Sequence, residues 1–144
     1  MKKVLLVIFL FLGTHAIHSQ WIWQNPIPQG NHLTSVNFVN QNTGWAVGYY
    51  GTVLKTTNAG INWSILNIGT SILKSVFFID SQNGWIVDNK GKIFNTTNSG
   101  NSWSFYQADS TKSLLSVFFI NPQIGWIVGS SGYLLKTTNG GLNW

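Results

Sequence analysis

The sequence predicts an all-β chain, a partial β-propeller of about three four-stranded blades. Three observations carry this. One unit recurs in register: Gly44, Gly84 and Gly125 are spaced by 40 and then 41 residues, as are Trp63, Trp103 and Trp144. Each unit holds short runs of β-branched and aromatic residues separated by Gly, Asn and Ser turns, and no later stretch keeps a helical period beyond a turn or two. The runs Val76-Phe77-Phe78-Ile79 and Trp126-Ile127-Val128 are continuously apolar, as strands covered on both faces are. Four strands in about 40 residues is the mark of a propeller blade. A lone blade cannot bury two apolar faces, so blades must stack.

The chain divides as follows. Residues 1–19 read as a secretory signal peptide: Lys2 and Lys3, an apolar run Val4–Leu12, and cleavage after Ser19. That run is shorter than the roughly 20 residues of a membrane span, so no integral span is expected after cleavage. Residues 20–32 read as an orphan outer strand at Trp21–Gln24 and a Pro/Gly turn; Trp23 precedes Leu33 by the same interval that separates Trp63 from Leu73. Blade 1 is expected over 33–72, blade 2 over 73–113, and an incomplete blade 3 over 114–144. In each, the first strand is the Leu-to-Phe run, the second starts at Gly-Trp, the third ends at Thr-Thr, and the fourth starts at Trp63 or Trp103.

Between third and fourth strands comes the stretch that repeats most strictly: Thr56, Asn58, Gly60 and Trp63; Thr96, Asn98, Gly100 and Trp103; Thr137, Asn139, Gly141 and Trp144. Asn bonds its own backbone in an Asx-turn, Gly takes φ > 0 without a Cβ clash, and Trp supplies an apolar anchor. These residues are read as structural turns. Six tryptophans at repeat positions (45, 63, 85, 103, 126 and 144) are read as core, leaving Trp21, Tyr49, Tyr50 and Tyr106 for ligand stacking.

Composition narrows the chemistry. The chain has no Cys, Arg or Glu, so disulfides and thiolate metal sites are unavailable. Beyond residue 19, six Lys against three Asp leave a formal +3, too dispersed for a nucleic-acid footprint. Paired-carboxylate chemistry has only Asp80, Asp88 and Asp109 to draw on. Asp80 holds the turn position of Asn40 and Asn121, Asp88 replaces Gly48 and Gly129 and is read as a solvated loop acid, and Asp109 lies in a polar insert. His32 alone makes no metal constellation, and Asn in place of Asp disfavours calcium. No metal, cofactor or catalytic residue is expected.

The repeated turn resembles the Asp-box, or BNR repeat, of sialidase-like propellers, with Asn58, Asn98 and Asn139 where Asp is usual. The longer unit, LTSVNFVNQNTGWAVGYYGTVLKTTNAGINW, with GWIVGSSGYLLKTTNGGLNW, looks like the repeat of the Ycf48/Hcf136-like family of photosystem II assembly and stability factors and their bacterial relatives. The resemblance implies a propeller of about seven blades, so the chain reads as a fragment of such a ring; an unusual small ring or an oligomer is the alternative. The signal segment places the chain as secreted, periplasmic or at the cell surface, and the resemblance implies a protein-binding scaffold or assembly and stability factor whose partner is a protein, in a membrane complex or at the cell surface. The alternative is the N-terminal part of a sialidase-like or other glycoside hydrolase, or a carbohydrate-binding adhesion protein. The sialidase version requires Arg and Glu, which this chain lacks.

Overall fold

The computed structural model describes residues 30–144; the signal segment expected at 1–19 and the strand expected at 21–24 lie outside them. The described residues form three antiparallel meanders. The first runs β1 (Leu33–Phe38), β2 (Gly44–Gly48), β3 (Thr52–Thr56) and β4 (Ser64–Asn67); the second runs β5 (Leu73–Phe78), β6 (Gly84–Asp88), β7 (Lys92–Thr96) and β8 (Ser104–Gln107); the third runs β9 (Leu114–Phe119), β10 (Gly125–Gly129) and β11 (Leu134–Thr137). Strand order follows chain order in every sheet. β1 lies against β5 and β5 against β9, so the sheets fan out from a line of first strands as the blades of a partial propeller do.

Local chemistry sets the hairpins. Between first and second strands the Oδ1 of Asn40 accepts the N–H groups of Asn42 and Thr43 (2.9 and 2.8 Å). The Oδ1 of Asp80 accepts those of Gln82 and Asn83 (2.7 Å each), and that of Asn121 those of Gln123 and Ile124 (2.9 Å each). These are Asx-turns, made equally well by amide or carboxylate. Between β2 and β3, Tyr50 and Gly51 sit in the left-handed region at φ 56° and 67°, as a tight hairpin that follows strand twist requires.

The glycine that opens each second strand has a packing role. Phe38, Phe78 and Phe119 pair across the ladder with Gly44, Gly84 and Gly125. A Cβ on any of these glycines would stand 2.5–2.6 Å from the phenyl ring. Its absence lets each Phe lie flat over the neighbouring backbone, and Phe78 and Phe119 turn their other faces to the preceding sheet.

The core forms two clusters, one at each junction between sheets. The first joins Trp45, Val47 and Val53 to Leu73, Val76 and Phe78; the second joins Trp85, Val87 and Ile93 to Leu114, Val117 and Phe119. Burial depends on having neighbours. β2 and β6, each followed by another sheet, are buried throughout, whereas the outer face of β10, which no further sheet follows among the described residues, and most of β1 are open.

Three expectations are corrected. Of the six repeat tryptophans only Trp45 and Trp85 are fully buried; Trp63, Trp103, Trp126 and Trp144 are half-buried because they lie on the sheet rim or on a face with no following sheet. The fourth strands begin one residue later than expected, at Ser64 and Ser104, because Trp63 and Trp103 belong to the turn. Asp88 is not a solvated loop acid: it is wholly buried, its Oδ1 accepting the N–H groups of Lys90 and Lys92 (2.8 and 2.7 Å), and its Oδ2 has no partner among the described residues. The middle sheet is covered on both sides, and the carboxylate folds back to tie its own turn.

Replacing Trp85 with Ala is expected to cost about 3–5 kcal/mol, and Trp126→Ala much less, because only the first ring is enclosed; urea midpoints of the two variants check this. Partial burial works to raise the Asp80 carboxyl, but bonds from the Asn83 side chain and the N–H groups of Asn83 and Gln82 outweigh it and hold it below the usual carboxylate range. A folded-state value below the unfolded one gives stability that is present above about pH 4 and lost as pH falls through the depressed value. Asp80→Asn, which copies the other two turns, is therefore expected to match wild type at pH 7 and to lose less stability in acid. Denaturant titrations at pH 7 and pH 2.5 measure the difference.

Candidate functional site

The residues singled out from the sequence converge on one structure, repeated three times. Thr56 is buried at the end of β3. Its hydroxyl donates to the Asn58 Oδ1 (3.0 Å) and accepts the N–H groups of Asn58 (3.3 Å) and Gly60 (2.9 Å). The Asn58 Oδ1 also accepts the N–H of Asn62 (2.9 Å). Thr96 and Asn98 repeat the pattern through Gly100 and Ser102, and Thr137 and Asn139 through Gly141 and Asn143. Satisfying so many polar groups within one loop is what permits a buried Thr at a sheet end. Gly60, Gly100 and Gly141 take φ of 84°, 79° and 90°.

Each turn does more than close its own hairpin. The Trp45 indole Nε1 donates to the carbonyl of Ser99, in the next sheet's turn (3.4 Å), and the Trp85 Nε1 to that of Gly140 (3.1 Å). A Cβ on Gly100 or Gly141 would come within 3.2 or 3.1 Å of those nitrogens. The same tryptophans stack face-on against the next sheet's phenylalanine: Trp45 on Phe78 at 3.5 Å between ring centroids, Trp85 on Phe119 at 3.6 Å. Trp103 and Trp144 then abut those phenyl rings edge-on.

Beside each joint a shallow groove opens between the outer strands of one sheet and the turn of the next. Val53, Lys55, Leu66, Gly100 and Asn101 line the first; Ile93, Asn95, Phe105, Tyr106 and Leu142 line the second. Lys55 donates to the Ser99 Oγ (2.6 Å), and partial burial lowers its pKa below the ordinary lysine value. Lys92 lies 4.7 Å from the Phe105 ring centre. Both grooves offer apolar strand residues and an amide, Asn101 in the first and Asn95 in the second; only the first is lined by a cation, Lys55.

The other sequence candidates do not meet. Asp80 and Asp109 bond their own turns, Asp109 through the hydroxyl and N–H of Thr111, which hold its carboxyl below the usual range. His32 is exposed and edge-on to Tyr49 at 5.2 Å. Tyr50 is exposed near the opposite end of β3 from the repeated turn, while Tyr106 lines the second groove. No group of three or more His, Cys, Asp or Glu capable of holding a metal occurs among the described residues, and none of their helices is long and apolar enough to cross a membrane. Sequence reasoning missed Phe38, Phe78 and Phe119. Each precedes its Gly-Trp pair at constant spacing, a signal that the next strand leaves room for the ring.

Known proteins fit this geometry. The structure is similar to that of YCF48 bound to D1 peptide (TM-score 0.74, 24% identity, covering 81% of this chain and 39% of that one). It is also similar to YCF48 from Cyanidioschyzon merolae (TM-score 0.73, 27% identity, covering 83% and 40%). An ancestral GH74 enzyme shares the fold (TM-score 0.64, 19% identity, covering 79% and 18%). The chain thus spans about two-fifths of the length of these YCF48 structures. No curated protein matches it significantly. Residues 14–104 and 65–144 match the family described as Photosynthesis system II assembly factor YCF48, nearly the whole sequence, and the chain belongs to that family.

Proposed function

We propose that this chain is an exported protein-binding scaffold of the assembly-factor type, acting by docking a polypeptide and not by catalysis. The observation that carries the reading is the family match along residues 14–144. It is supported by the similarity to a YCF48 structure that holds a D1 peptide. The geometry is compatible. The grooves beside the two joints both present apolar strand residues beside an amide, chemistry suited to an extended segment. The acids do not compete for a catalytic role, since Asp80, Asp88 and Asp109 each accept hydrogen bonds from their own turns. The Lys2-Lys3 and Val4–Leu12 pattern supports export.

Titration of the chain with a D1-type peptide, followed by tryptophan fluorescence, tests the reading. Saturable binding is expected, weakened at least about tenfold by the pair Phe105→Ala and Tyr106→Ala, since loss of two apolar side chains is worth several kcal/mol at most. Flat titrations together with release of reducing sugar from a β-glucan would overturn it in favour of a glycoside hydrolase.

A further inference from the structure

We propose that the groove beside the first joint is a carboxylate site, and that the polypeptide it takes carries an Asp or Glu side chain set among apolar residues. The inference rests on the polypeptide-docking reading above and adds to it the residue type that this groove selects.

The groove lies between the first and second sheets, each with all four of its strands described. It has two parts that share Lys55, Ser64 and Asn101. Val53 and Leu66 give one part an apolar wall, and Asn62 gives the other an amide.

Hydrogen-bond donors gather here and no negative charge meets them. The Lys55 Nζ lies 5.7 Å from the centre of the Trp45 ring and donates to the Ser99 Oγ at 2.6 Å. Those contacts fix the ammonium and use one of its three N–H groups. Asn62 and Asn101 are exposed, and neither makes a side-chain hydrogen bond among the described residues. The chain has three acids, and none lines the groove: Asp80, Asp88 and Asp109 accept hydrogen bonds from their own turns. Lys55 has therefore lost hydration that no opposite charge replaces, which is why burial lowers its pKa. A ligand carboxylate supplies that charge. It accepts from the remaining ammonium N–H groups and the amides in charge-assisted bonds.

The apolar wall favours a polypeptide as the source of the carboxylate. Leu66 is 40% exposed beside the site, and an extended segment covers it with the apolar neighbours of its acid. An acidic sugar has no such neighbour to offer.

The second joint provides a comparison within the molecule. Asn95 pairs with Trp85 across the ladder as Lys55 pairs with Trp45. Leu142 follows Gly141 there as Asn101 follows Gly100 in the first. The second groove thus has an amide in place of the ammonium and a Leu in place of an amide. Two joints that are alike in their ring stacking differ at this point, and acid selectivity is confined to the first.

Selection of random short peptides displayed on phage, against the full chain and against Lys55→Gln, tests this. The variant is first checked for wild-type circular dichroism. Peptides taken by wild type are expected to share one Asp or Glu flanked by apolar residues. Those taken by Lys55→Gln are expected to keep the apolar residues and lose the acid. A synthetic consensus peptide with an amidated C-terminus is expected to bind wild type about ten- to a hundredfold more tightly than its copy with Gln or Asn for the acid, the range of a hydrogen bond to a charged group. Lys55→Gln is expected to bind the two alike. Asn95→Lys, which copies Lys136 of the third sheet, is expected to add a second acid to the consensus. A consensus without an acid, or an acid retained on Lys55→Gln, would overturn this inference and leave the docking reading standing. Enrichment of no peptide on either protein would overturn both. Displacement of the consensus peptide by polygalacturonate at lower concentration than by the free peptide would assign the groove to acidic sugar and overturn the polypeptide claim.

Discussion

The interaction on which this structure depends is the stacking of a tryptophan from one sheet on a phenylalanine from the next. At 3.5 and 3.6 Å between ring centroids, Trp45–Phe78 and Trp85–Phe119 are the closest ring contacts among the described residues. Aromatic pairs contribute about 0.5–1.5 kcal/mol beyond the area they bury, and these also sit at the middle of the two core clusters. Other features of the repeat serve this contact. Gly44, Gly84 and Gly125 clear space for the phenyl rings. The Thr-Asn-Gly turn presents a carbonyl to the indole N–H. Ser35 and Ser75 tie the backbones of adjoining first strands. A propeller blade has no closed core of its own, so the joint is where the stability of a stacked array resides.

The fold was legible because its signals were repeated. Period, turn residues and apolar runs each occurred three times in register, and no helical alternative competed. Pairwise relations between units were harder to read. The turn's hydrogen bonds within one loop follow from residue type, but its second role, receiving an indole from the preceding sheet, depends on how far one blade is rotated from the next. Burial was misjudged for the same reason. Trp63, Trp85 and Trp126 are alike as residues, and only the presence of a following sheet and distance from the rim separate enclosed from half-open rings. Asp88 reads as a solvated loop acid from its place at the end of a second strand, yet its position between two neighbouring sheets and the two N–H groups of its own turn put it inside.

The same geometry frames the function. The two grooves are by-products of the joints: a turn that reaches across to the previous sheet leaves a furrow beside it, lined on one side by outer strands and on the other by the turn. The Thr and Asn oxygens of the turns are spent within the turns and two turn carbonyls on the indoles of the preceding sheets, while among the described residues the Trp103 and Trp144 indole N–H groups and the Asp88 Oδ2 are buried without a partner.

The account rests on the joint being an energetic coupling between blades and not a coincidence of packing. The most direct measurement is a double-mutant cycle on Trp85→Leu and Phe119→Leu, using urea unfolding of both single variants and the pair. Coupling between the two positions of about 1 kcal/mol is the expected result, the size of a measured aromatic pair. Losses that add to within about 0.3 kcal/mol, as for residues that do not interact, would contradict it.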